Sequence, residues 1–180
     1  LTGDSEMIDN KDRMPSVREV RKRIEKIHTK EKYRRCLQYI YLVDGRVSEA
    51  VGRASPSDNT AARGPTGSDL QFQVYDPDEK IEAALFTVKS SHGREGQPRI
   101  CAIPLDPEYE PWARKIALYF SKFGPREKIF PFTRQKMYQV AKKAFKGLRY
   151  PIQKYDNTLK VFTENGRETK KVVIPHHWKP

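Results

Sequence analysis

A chain of 180 residues is long enough for one ordinary domain, or for a domain with an arm. Apolar residues make up 37% and charged residues 32%, so a core must sit beneath an unusually charged surface. No apolar run approaches the roughly 18 residues of a membrane helix, and no secretory signal pattern opens the chain.

The two cysteines, Cys36 and Cys101, lie far apart inside apolar patterns, without metal-ligand spacing. They read as free thiols of a reducing, cytoplasmic compartment. The net charge is +12 and it is unevenly placed. Residues 1–12 carry a net −3, residues 13–53 a net +7, residues 54–132 a net −1 and residues 133–180 a net +9. Two basic segments flanking a neutral middle point to a polyanion, with nucleic acid the first candidate. A soluble protein with a lysine-rich surface gives the same charge.

Residues 1–12 form an acidic lead-in. Ser16, with Glu19 three positions on, has capping-box spacing. The segment that follows places Val17, Val20, Ile24 and Ile27 at helical intervals, with a basic outer face. The next helix spans 31–43 and turns Tyr33, Leu37, Ile40 and Tyr41 inward. Asp44-Gly45 breaks it, and a short helix covers Arg46–Arg53. Residues 54–68 are rich in Ser, Pro, Gly and Asn and read as a loop.

The period then changes to two. Leu70, Phe72 and Val74 alternate along a half-buried strand, and residues 81–89 and 99–105 form a second and a third. Pro111 suits the first turn of a helix that carries Trp112, Ile116, Tyr119, Phe120 and Phe123 and stops at Gly124-Pro125. Thr133 caps another, with Met137, Val140, Ala141, Ala144 and Phe145 inside. Arg134, Lys142, Lys143 and Lys146 lie on its other face, and Gly147 ends it. Two extended segments, "LKVFT" and "KKVVIP", flank a hairpin signal at Asn165-Gly166. Helices, a small antiparallel sheet, helices and a hairpin make an α+β chain, not alternating βαβ.

Several chemistries lack their motifs. There is no phosphate-binding Walker loop, no Gly-x-Gly-x-x-Gly, no zinc spacing and no Gly-x-Ser-x-Gly elbow. The adjacent histidines of "PHHW" (175–178) have no evident third ligand. Arg46 is more suggestive. It follows a glycine at a helix junction, and a guanidinium grips a phosphate through two parallel hydrogen bonds. Glu49, three residues on, shares its helical face. On their own the two residues more readily read as a surface ion pair, which is common on exposed helices.

The wider pattern resembles the tyrosine recombinase (phage integrase) family, archaeal members in particular. The apolar helix followed by Arg46-Val47-Ser48-Glu49 matches the opening of that family's catalytic domain. Lys89, at a strand end before "SSHG", matches its hairpin lysine. Arg99 to Leu105 match its Arg-x-x-x-Ile/Val-Pro-Leu strand, and "KIFPFTRQKMYQVAKKAF" looks like the segment after it. The likeness covers about residues 31–150, with residues 1–30 left as an arm or linker and 31–180 as a partial catalytic domain. There are departures. Gly45 directly precedes the arginine instead of standing two residues before it, and the loop at 54–68 is long. The family's second half, with His-x-x-Arg and a nucleophilic tyrosine, has no good counterpart; His176-x-x-Lys179 lacks the arginine. Those elements are expected beyond Pro180.

The resemblance implies site-specific recombination of double-stranded DNA attachment sites by a tetramer, without metal or cofactor, through a 3′-phosphotyrosyl intermediate. It assigns Arg46 to the scissile phosphate and Lys89 to the leaving 5′ oxygen, with Glu49 orienting Arg46. His92 and Arg99 are then expected to touch DNA. Arg21, Lys22 and Lys26 on the first helix, and Arg134, Lys142, Lys143 and Lys146 on the later one, would hold its backbone. The competing readings are a non-catalytic nucleic-acid-binding module and a domain that docks an acidic protein.

Overall fold

A computed structural model describes residues 15–52, 64–76, 78, 81–89 and 98–148, and the backbone of 152–153 and 159–160. The elements are α1 (Val17–Lys26), α2 (Glu31–Leu42), α3 (Val47–Val51), β1 (Leu70–Asp76), β2 (Ile81–Val88), β3 (Arg99–Pro104), α4 (Ala113–Phe120), α5 (Arg134–Ala144), β4 (Ile152–Gln153) and β5 (Leu159–Lys160). The class is α+β, as expected.

Ser16 caps α1 by accepting a hydrogen bond from the Glu19 amide at 3.1 Å. Val20 and Ile24 are buried with Ile27 in the same core as the later helices. Val17, expected inside, shares the helical face of buried Ile24 but is 60% exposed, as the first residue of the helix. The segment expected as a linker therefore contains a helix that belongs to the core.

Helix α2 is the central rod. Five consecutive residues, Cys36 to Ile40, are buried, which happens only when a helix is surrounded. Tyr39 packs its ring against Phe86, Phe120 and Phe130, at centroid separations of 5.8, 5.4 and 5.4 Å. These rings bring the sheet, α4 and the segment before α5 onto α2.

The three-stranded sheet has the order β1-β2-β3, antiparallel throughout. Ala84, Phe86 and Val88 of β2 are buried, opposite Ile103, Cys101 and Arg99 of β3. The alternation expected for β1 is only partly realised. Leu70 is half-buried, but Phe72, which pairs with Ala84 on the core-facing side, is 62% exposed. β1 is an edge strand. An open groove of about 230 Å³ separates Phe72 from Ala117 and Leu118 of α4.

Helix α4 stops at Phe120, earlier than Gly124-Pro125, and buries Ala113, Ile116, Ala117 and Phe120. Helix α5 follows its sequence pattern closely. The Thr133 hydroxyl accepts from the Lys136 amide at 3.1 Å, and Met137, Val140, Ala141, Ala144 and Phe145 are all buried. Gly147 adopts φ +83° just past the end, the left-handed conformation that glycine supplies at helix termini. The strand pairing that follows joins 152–153 to 159–160. The hairpin expected at Asn165-Gly166 and the 175–178 histidines lie outside the described residues.

Candidate functional site

The end of α2 sets up the site. Asp44 takes φ +48°, a left-handed turn that aspartate tolerates better than most residues. The Gly45 amide then returns to the Ile40 carbonyl at 2.9 Å. A Cβ on Gly45 would stand 3.0 Å from Val43 Cγ2 and 3.4 Å from Glu49 Oε2. The glycine thus makes room for a carboxylate.

That carboxylate caps α3. Glu49 is buried, and its Oε2 accepts from the Arg46 amide at 2.7 Å. Arginine has no side-chain acceptor with which to return the bond, so Arg46 keeps its side chain exposed at the helix start. Among the described residues nothing accepts a hydrogen bond from its guanidinium. Glu49 therefore holds the Arg46 backbone, and it does so from inside the protein.

Arg99 approaches the same carboxylate from the sheet. Its Nη2 lies 3.4 Å from Glu49 Oε2 and 3.3 Å from the Asp44 carbonyl, and its Nη1 donates to the Val43 carbonyl at 2.8 Å. The carbonyls at the end of a helix carry partial negative charge and lack helical partners, and a planar cation satisfies them together. The family likeness gives Arg99 to DNA. In the structure its donors strap β3 to the α2–α3 junction.

Lys89 follows Val88, the register partner of Arg99. Its Nζ lies 2.8 Å from Oδ2 of Asp69. Asp69 is buried at the end of a one-turn 3-10 helix, Gly67–Asp69, and the same oxygen accepts from the Thr66 amide at 2.8 Å and the Thr66 hydroxyl at 3.2 Å. Thr66 in turn pairs with Lys128 across a β-bridge. Sequence reasoning misses Asp69. The available signal is Thr66-x-x-Asp69 before an apolar run, a capping-box spacing hidden in a stretch that reads as plain loop.

Tyr39 lies beneath these groups. Its hydroxyl is buried and has no partner among the described residues. Burial, reinforced by the negative charges of Asp69 and Glu49 and opposed by Arg99, pushes the phenol far above its ordinary range. Tyr39 is a neutral core residue.

The basic helices meet at a seam. The Arg23 Nη1 donates to the Lys146 carbonyl at 2.7 Å, and Lys143 Nζ to the His28 carbonyl at 2.7 Å. Exposed Lys22 and Lys26 of α1 thus flank exposed Lys142, Lys143 and Lys146. Arg134 is exposed at the opposite end of α5. Arg21, also expected at the DNA backbone, has partners within the fold. It forms a two-pronged ion pair with Glu110 and lies 4.8 Å from the ring centroids of both Tyr41 and Trp112. Glu110 holds its guanidinium firmly in the charged form. His92 lies outside the described residues.

Among the described residues no group of three or more His, Cys, Asp and Glu side chains is placed to hold a metal ion, and no helix is long and apolar enough to cross a membrane. No known protein family matches this chain, and no curated protein matches it either.

Proposed function

We propose that this chain forms part of the catalytic domain of a tyrosine-class site-specific DNA recombinase, with Arg46 and Lys89 as its two cationic catalytic groups. One observation carries the reading. Arg46, at the start of a five-residue helix, and Lys89, at a strand end 43 positions later, are joined through Glu49, Arg99 and the β2–β3 register. A reaction needs its charges carried on a common frame, and these contacts tie the Arg46 backbone to the strand end that precedes Lys89.

In the proposed reaction a tyrosine outside the matched segment attacks the scissile phosphorus. Its phenolic oxygen bonds to phosphorus, its proton passes to solvent or a base, and the bond to the 5′ oxygen breaks. Arg46 faces the charge that gathers on the non-bridging oxygens. Lys89 gives a proton to the departing 5′ oxygen, and the religation step runs these transfers backwards. The partner is double-stranded DNA, held by the seam between α1 and α5. The resemblance implies a tetramer on paired sites and no metal or cofactor.

The test is covalent trapping. The full-length gene product is mixed with nicked duplexes bearing candidate attachment sites and run on a denaturing gel. Protein attached to a DNA 3′ end is expected. Arg46→Ala should slow its formation by at least about 100-fold, while the logarithmic salt slope of binding falls by only about one unit. Salt-sensitive duplex binding with no attachment on any site would instead favour a binding module built on the basic seam.

A further inference from the structure

Asp69 has no role in the proposal above, although its surroundings are unusual. It is buried, it stands twenty residues before Lys89, and one of its oxygens gathers three donors, two from Thr66 and one from Lys89. A carboxylate fixed by its own turn is a rigid anchor. A lysine has a flexible four-carbon stem and three equivalent donors. Lys89 has two N–H groups besides the one held by Asp69, and among the described residues nothing accepts from them, while its nitrogen is confined to within hydrogen-bond reach of a single buried point.

We infer that Asp69 is a positioning residue for Lys89: it fixes the ammonium group where the departing 5′ oxygen must collect its proton. This rests on the recombinase reading. The atoms balance as before: the tyrosine–phosphorus bond forms, the phosphorus–O5′ bond breaks, and the Lys89 proton moves to O5′. Asp69 touches neither phosphorus nor leaving group. Its position follows from the fold, because Thr66 is bridged to Lys128 and the turn of residues 67–69 leads directly into β1, the neighbour of the strand that carries Lys89.

The leaving atom supplies the test. When sulfur replaces the 5′ bridging oxygen, the departing thiolate is stable enough to leave without a proton, since thiols ionise near pH 8.5. The full-length protein and its variants are assayed for covalent attachment on both substrates. On the oxygen substrate, Asp69→Asn is expected to slow attachment on the order of 10- to 100-fold. On the sulfur substrate this defect should vanish, as it should for Lys89→Ala and should not for Arg46→Ala. A defect that persists on sulfur makes Asp69 merely structural and overturns the inference. Thr66→Val, which disturbs the turn but keeps the charge, should cause a smaller loss than Asp69→Asn; an equal loss would also overturn it.

A second measurement does not depend on turnover. Acetylation of lysines by an N-hydroxysuccinimide ester, read by peptide mass spectrometry, should become severalfold faster at Lys89 in Asp69→Asn and stay unchanged at Lys142. An unchanged Lys89 rate overturns the inference whatever the chemistry. If the wild-type protein attaches to neither substrate, the recombinase reading fails by itself, and labelling still decides whether Asp69 holds Lys89. Should Asp69→Asn fail to fold, Asp69→Glu serves in both assays, because the extra methylene displaces the anchor and keeps its charge.

Discussion

Single residues here do different work from what their type suggests. Tyr39 carries a hydroxyl that no described residue partners, in the middle of an aromatic core. Replacing it with phenylalanine removes an unsatisfied polar group and no packing, so Tyr39→Phe should leave stability at pH 7 within about 1 kcal/mol of wild type or slightly raise it. The same group fixes an alkaline dependence. Its folded-state pKa is raised above the unfolded value of about 10. Stability from keeping it neutral is therefore complete below about pH 10 and is lost as pH rises above that. Urea unfolding at pH 7 and pH 10.5 should show a smaller alkaline loss in Tyr39→Phe; an equal loss would place the effect elsewhere. Arg99 and Arg21 teach a related lesson. An arginine in sequence shows its charge but not its acceptors. Those of Arg99 are the backbone carbonyls of Val43 and Asp44 and the Glu49 carboxylate, fifty or more positions upstream, and backbone carbonyls leave no mark in a sequence.

At the scale of elements, legibility follows periodicity. Helix α5 is readable from cap to terminal glycine because its buried residues recur at helical spacing and Thr133 marks its start. Phe72 is misread because alternation reveals which side of a strand a residue takes, and not whether anything covers that side at a sheet edge. Arg46, Glu49 and Lys89 are visible as a pattern, whereas Asp69 is not, since its partner is distant and its turn looks like loop. The two basic helices are readable singly; their meeting at one seam is not. That seam makes a prediction. Lys142→Glu combined with Lys143→Glu should lower the logarithmic salt slope of duplex binding by about two units, close to 0.9 for each phosphate no longer neutralised. Arg21→Ala should leave the slope alone and lower the melting temperature, because its charge is held by Glu110 and its plane lies near Tyr41 and Trp112. A slope change in Arg21→Ala, or none in the double variant, would misplace the DNA.

For the whole molecule, the arrangement of α1, α2, α4, α5 and the sheet around one aromatic centre means that the candidate catalytic groups belong to different parts of the fold. Arg46 rides on the helices and Lys89 on the sheet. Core burial accounts for why these layers pack, but it sets only roughly how they slide against each other. Arg99 sets that more finely, since its fork clasps Val43 and Asp44 from the first residue of β3. It acts as a caliper between the sheet and the end of α2, and on the proposed reading the gap it gauges is the one a phosphate must fill. Any loosening of the sheet from the helix end that leaves the core packed would open the caliper first. On the proposed reading, activity would then be lost while the spectra still report a folded chain.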